Sequence, residues 1–360
     1  MSDTQLPVAP TTSRRACLAV TVAMVAAVAA CSGSDGVSPS AGRTSTPTTA
    51  GASATPSAPA SVIPQRSWML DTVDVGYPDG LASIDGGVFV KTDDGRVARI
   101  DPETGTVVAE AKIDTARDAS RYCLGIGSDG ATLWACTAGD KTTDVVRLDP
   151  KTLEVTKVVK VDKVFDQYAL SIVDGRLWVL AGNGNRLTSV DTATGQKTTV
   201  PLGRRCFQLA ATTTTVYATC LVTSEVIAVD AGTGDVTGRV DVASPSNVSA
   251  SGDDVWVSGS AGLVHLDAGL QPRADYPGPA AGSEGDLVAT DAAVWIRQPE
   301  GFLLRVDPTT GQVAARYDIN PVPSGGSLLI TDSAVWTSAF DDNTIYKIDP
   351  DPKLGSALGR

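Results

Sequence analysis

Hydrophobic and polar positions alternate along most of the chain, and one recurring turn punctuates the alternation. It appears in VARIDPETGTV (97–107), VVRLDPKTLEV (145–155), LTSVDTATGQK (187–197) and VIAVDAGTGDV (226–236). It returns in LVHLDAGLQPR (263–273), LLRVDPTTGQV (303–313) and IYKIDPDPKLG (345–355). The aligned aspartates are Asp101, Asp149, Asp191, Asp230, Asp267, Asp307 and Asp349. Aspartate accepts from backbone N–H groups just ahead of it, proline presets φ, and glycine takes the left-handed position, so each copy predicts a tight hairpin. The period of two on either side is that of a strand.

A second element lies upstream of each aspartate, as in DGRLWVL (174–180), GDDVWVS (252–258), DAAVWIR (291–297) and DSAVWTS (332–338). Phe89, Trp134, Trp178, Tyr217, Trp256, Trp295 and Trp336 recur at intervals of 39 to 45 residues, and five of the six tryptophans fall on this register. An apolar strand precedes each aromatic, as in LASIDG (81–86) and LSIVDG (170–175). Each unit therefore reads strand, turn, aromatic strand, loop, strand, aspartate turn, strand. One such blade cannot cover its own two faces, so blades stack around an axis with the aromatics between them. The expected fold is all-β, a seven-bladed β-propeller with four antiparallel strands per blade. IYKIDP (345–350) is followed by no fourth strand, whereas WMLDTVDV (68–75) precedes the first unit and echoes RVDVASP (239–245), the outer strand of unit four. The N-terminal strand is thus expected to complete the last blade and close the ring, removing an exposed edge. Over residues 67–360 the spacing and the V-x-x-(I/V)-D-x-x-T-G pattern resemble YVTN-type and quinoprotein-like propellers with PQQ-like repeats. That resemblance implies the fold and assigns no reaction.

The first 66 residues break the pattern. Arg14-Arg15 precede ACLAVTVAMVAAVAA (16–30), a run of signal-peptide length, short of the roughly 20 residues a spanning helix needs. VAAC (28–31) resembles the bacterial lipobox, which implies a lipid on Cys31 and a mature chain beginning there; SRRACL (13–18) resembles a twin-arginine signal without its usual Phe and Lys. Residues 31–66 are rich in Ser, Thr, Pro and Ala and bury too little to offset chain entropy, so they read as a disordered tether. The expected domains are a lipoprotein signal peptide (1–30), a lipidated tether (31–66) and the propeller (67–360). The expected location is the cell membrane, lipid-anchored on its extracytoplasmic side.

A net charge of −12 and a single histidine argue against nucleic acid as a partner. The four remaining cysteines predict two disulfides, Cys123–Cys136 and Cys206–Cys220, each joining the first and second strands of its own blade. The other connectivities would bridge blades separated by a third, beyond the roughly 5.5 Å that a disulfide spans. Four-cysteine metal binding lacks the close CxxC spacing it needs.

With strands alternating in direction, the aspartate turns share one side of the ring with the first hairpin turns. The loops between second and third strands share the other side with the crossings between blades. The second side varies in length and is where function is expected. Its crossings supply Asp79, Arg121, Tyr122, Asp166, Gln167, Tyr168, Arg204, Arg205, Asn247 and Glu284, with Arg121 and Arg204 as a carboxylate or phosphate clamp. Lyases of the virginiamycin B type resemble this fold and need histidine, but His265, two before Asp267, falls on the register of a solvated outer strand. Pyrroloquinoline quinone dehydrogenases use a Cys-Cys dipeptide that this sequence lacks, and no GxSxG, HExxH or P-loop pattern occurs. Gluconolactonase-like propellers imply a calcium site, for which Glu284, Asn247 and Asp166 are the available ligands. The leading expectation is a monomeric, tethered recognition module for a protein, glycan or small ligand, without cofactor. The alternative is a metal-assisted hydrolase or lyase at the axial mouth.

Overall fold

The computed structural model describes residues 62–63, 69–113, 124–138, 143–161, 170–278, 285–298, 300, 302–319 and 324–350. The first blade runs Pro78–Ile84, Gly87–Thr92, Arg96–Asp101 and Thr106–Lys112, in that order across the sheet. Five further blades repeat this meander and begin at Ile126, Leu170, Gln208, Asn247 and Leu287. Blade seven takes Leu328–Ile330, Val335–Ala339 and Thr344–Ile348 from the end of the chain and Met69–Asp74 from its beginning. Val73 pairs with Ile345 and Thr72 with Tyr346, so the predicted closure is present. First strands of successive blades contact one another all the way round, with blade seven meeting blade one.

Packing follows the aromatic register. Phe89, Trp134, Trp178, Tyr217, Trp256, Trp295 and Trp336 are all buried. Apolar clusters bridge every junction: one spans blades two to four, and others join blades one and two, four and five, five and six, and six and seven. The last closes the seam, with Val73, Val75, Leu81, Val88, Trp336 and Ile345 in contact.

The aspartate turns form as expected. Asp101 Oδ1 accepts from the N–H groups of Glu103 (2.8 Å) and Thr104 (3.0 Å), and the same pair of bonds recurs at Asp149, Asp191, Asp230 and Asp307. Glycine fills the left-handed position at Gly105, Gly195, Gly234 and Gly311, but blades two and five use Leu153 (φ 60°) and Leu270 (φ 63°) instead. Both leucine side chains are buried, and that burial offsets the backbone strain.

The structure adds one element that the pattern did not suggest. Val62–Ile63, inside the segment read as tether, pairs in parallel with Arg316 and Tyr317 on the outer strand of blade six, which thereby has five strands. Among the described residues no helix is long and apolar enough to cross a membrane.

Candidate functional site

On the side of the blade crossings, the chain entering blades six and seven lies flat against the second strand of its own blade. Glycine permits this: a Cβ on Gly285 would lie 1.8 Å from Arg297 O, and one on Gly326 would lie 1.8 Å from Ser338 O. The residues beside these glycines form a polar arc linking blades four to seven and returning to blade one. Thr219 donates to Ser246 O (3.2 Å), and the Asn247 amide donates to Gly285 O. Asp286 Oδ1 accepts from Leu287 N–H (2.8 Å), while its Oδ2 accepts from Leu328 N–H (2.8 Å) and the Ser327 hydroxyl (3.2 Å). Ser338 then donates to Asp79 O (2.7 Å). Burial pushes the Asp286 carboxyl above the ordinary carboxylate range, against the opposing pull of its three donors.

Blades four and five carry a second constellation on the same side. Arg204 Nε and Arg239 Nη1 each reach one carboxylate oxygen of Glu225 at 2.8 Å, and Arg239 Nη2 also donates to Leu202 O. Burial alone would raise the Glu225 carboxyl, but bonds from Arg239, Thr223 and Arg204 outweigh it and hold the group below its usual value. The Arg205 guanidinium lies 5.0 Å over the Phe207 ring. The loop between the second and third strands of blade four is a single 3-10 turn, Leu221–Thr223, closed by Ser224 in the left-handed conformation. Val222 there is 69% exposed, the most exposed large hydrophobic side chain among the described residues, and Leu221 beside it is also exposed. The Cys206–Cys220 disulfide holds the base of this turn. Next to it, a groove of about 320 Å³ runs between the outer strand of blade four and blade five, lined by Val240, Val242, Leu263, Tyr276 and Pro277 among others. Across the ring, Tyr77 is half exposed, is held by the Asn343 side chain (2.9 Å), and packs on Phe340 at 5.7 Å.

The sequence-predicted residues divide clearly. Arg121, Tyr122, Asp166, Gln167, Tyr168 and Glu284 lie outside the described residues, as do Cys31 and Cys123. Cys136 is disulfide-bonded, and Cys206–Cys220 forms as predicted. Asp79 and Asn247 are present on the crossing side but buried, their contacts tying blades together. Arg204 is bound to Glu225, 21 residues further along the chain. His265 corrects its expected placement: it sits on the third strand of blade five, largely buried, stacked 4.0 Å from the Trp256 ring and bonded to Asp254 at 2.7 Å. Stacking on the indole shields most of the ring from solvent.

Sequence reasoning missed Asp286, Lys91 and Arg297. Lys91 and Arg297 are fully buried on the second strands of blades one and six. Asp286 had a usable signal, because Gln208, Asn247, Asp286 and Ser327 all stand nine residues before their blade's aromatic. Among the described residues no group of three or more His, Cys, Asp or Glu side chains is gathered as a metal site.

A family profile described as outer membrane protein assembly factor BamB matches residues 80–317. No curated protein matches the chain. Among solved structures, BamB from Moraxella catarrhalis is similar at 13% identity and a TM-score of 0.52, covering 75% of this chain and 84% of that one. A streptogramin B lyase is similar at 15% identity and a TM-score of 0.64, covering 79% and 98%. The Pan2 WD40 domain of Neurospora crassa is similar at 13% identity and a TM-score of 0.60, covering 81% and 98%. At these identities the structures share the fold with this chain.

Proposed function

The chain belongs to the outer membrane protein assembly factor BamB family, and from that premise we propose that it is a protein-interaction module that docks a partner through the crossing side of blades four and five. One observation carries the reading: Leu221 and Val222 project into solvent from a turn pinned by a disulfide, between an arginine cluster and an apolar groove. Rigid apolar anchors beside ion-paired arginines are what a protein partner can bury at low ordering cost. The anchor residues are already ordered before binding, so little entropy is lost when they are covered. Cys31 supplies the lipid that keeps the module on the extracytoplasmic face of the membrane, and residues 32–61 supply the reach.

The test is co-purification from membranes after in vivo cross-linking. Val222→Asp should abolish the cross-linked partner band, and Arg205→Ala should weaken it. An exposed substitution in an aspartate turn, Thr233→Ala, should leave it intact. Loss with Thr233→Ala and retention with Val222→Asp would place the partner on the opposite side and sink the proposal.

A second reading, a metal-assisted hydrolase or lyase at the axial mouth, draws on the raised pKa of Asp286. Both Asp286 oxygens already accept hydrogen bonds, and three donors share them. This favours a blade-linking role, and metal analysis of the purified protein separates the two readings.

A further inference from the structure

The outer strands of blades four and six carry the same pattern at the same place. Counted from their turn aspartates, Arg239-Val240-Asp241 aligns with Arg316-Tyr317-Asp318, and no other outer strand has Arg-x-Asp at this register. Their pairings also match, with Val226 opposite Val240 and Leu303 opposite Tyr317. In blade six the outer edge is covered by Val62–Ile63, with Val62 beside Arg316 and Ile63 beside Tyr317. In blade four, among the described residues, no strand pairs with the outer edge of Val236–Asp241. Val242 N–H donates inward to Ser224 O (2.9 Å), so by the alternation of an antiparallel pair the N–H and C=O groups of Arg239 and Asp241 point outward. Among the described residues no hydrogen bond uses those groups.

The bare edge borders the groove of about 320 Å³, which has Val240 and Asp241 on one side and Leu263, Asp275, Tyr276 and Pro277 of blade five on the other. Other blades do not offer this edge. Pro277 of blade five and Pro201 of blade three stand where Asp241 does, and proline has no N–H to donate. In blade two the corresponding Lys160 O already accepts from Lys197 of blade three. Charge distinguishes blade four further. In blade six Arg316 Nε reaches Asp318 Oδ1 at 3.2 Å, whereas Arg239 turns to Glu225 and leaves Asp241 without a cation. Neither Asp241 nor Asp275 has an ion pair among the described residues, and no Lys or Arg among them lines the groove.

A segment added to blade four in the register that Val62–Ile63 uses on blade six places one residue beside Arg239 and the next beside Val240. Val240 faces blade five, packed against the cluster that holds Leu266 and Leu270. Side chains of paired neighbours share a face of the sheet, so the residue beside Val240 enters the groove. We propose that a partner protein docks here by strand addition. An extended segment pairs with Arg239 and Asp241, seats an aliphatic side chain in the groove, and sets a Lys or Arg against Asp241 and Asp275. Backbone pairing supplies the affinity, and the groove and the two carboxylates supply the selection. A helix cannot use the edge, because its own N–H and C=O groups are already bonded to each other. An acidic segment meets two uncompensated carboxylates. This inference rests on the docking sector proposed for blades four and five and names the element of the partner that enters it.

The test uses the purified full chain and fluorescently labelled peptides followed by anisotropy. The probes are Lys-Val-Ile-Val-Lys with blocked ends, the same peptide with Asp for both Lys, and the same peptide with alternate amides N-methylated. The basic peptide should bind saturably, and the acidic and N-methylated peptides about tenfold more weakly or worse. Asp241→Asn keeps the outward N–H and should weaken the basic peptide about two- to fivefold. Asp241→Pro also removes that N–H and should weaken it about three- to tenfold further, while Asp318→Pro on blade six should leave it unchanged. The N-methylated peptide reads the same backbone bonds with the protein unaltered. Absence of saturable binding, equal affinity for the acidic or N-methylated peptide, or equal affinity in Asp241→Asn and Asp241→Pro would each overturn the proposal. So would loss confined to Asp318→Pro, which puts the peptide on blade six in place of Val62–Ile63, or a dimer that the peptide dissociates, which gives the edge to a second copy. If no peptide binds while Val222→Asp still abolishes the cross-linked partner, strand addition is wrong and the docking sector stands.

Discussion

Replacing Val73 by alanine tests the seam of the ring. Val73 is 3% exposed, pairs with Ile345 and shares one buried cluster with Trp336 of blade seven and Val88 of blade one. The substitution removes two buried carbons, at about 0.8 kcal/mol each in transfer alone, and leaves a partial cavity. The expected loss is about 2 kcal/mol, or a fall in melting temperature of about 4 °C for a domain of this size. Thr72 and Asp74 flank Val73 on the same strand and face solvent. Alanine at either should change stability by less than about 0.5 kcal/mol. The assay is urea unfolding of the three variants, compared by midpoint at constant slope. Because side chains alternate, a slip of one residue would exchange the buried and exposed sets. Equal losses at Val73 and Thr72, or a larger loss at Thr72, would refute the closure as described.

Three further outcomes are expected. Non-reducing peptide mapping should recover Cys206 joined to Cys220 and Cys123 joined to Cys136, and Cys206→Ser should cost at most about 3 kcal/mol for a loop of this length. Backbone donors, the N–H three residues on foremost, hold Asp101, Asp149, Asp191, Asp230 and Asp307 below the usual 3.8. Their contribution is therefore present above that value and is lost as pH falls below it, so unfolding midpoints measured against pH should drop there, and a flat profile would contradict the turn bonds. Intact-mass spectra of the mature protein should show an acylated Cys31, and Cys31→Ala should leave the chain unprocessed or released from membranes.

The ring was legible because its turns are chemically local. An aspartate that bonds N–H groups two and three residues ahead needs no knowledge of the rest of the fold, and an aromatic on a fixed register reports the blade spacing directly. Pairings that depend on distant chain were not legible. Nothing near Arg204 announces that Glu225 will claim it, and nothing in GVFVKT (87–92) says that Lys91 will be wholly enclosed. Val62–Ile63 is two residues in a Ser/Thr/Pro/Ala background, too short for any period to show.

The way blade seven is assembled sets an order on biosynthesis. Met69–Asp74 is made near the start of the chain, yet its partner Thr344–Ile348 is made some 270 residues later. Through that interval the strand has no edge to join, and Val73 and Val75 lack the cover that Trp336 and Ile345 give them. The four meander strands of each of blades one to six are consecutive in the chain and can fold as they appear, whereas the seventh must wait for the last strands. The entropy of joining such distant segments grows only slowly with the intervening length. The delay therefore weighs on rate and on aggregation before closure far more than on final stability, and a helper that shelters the waiting strand would act during synthesis or export and be dispensable afterwards.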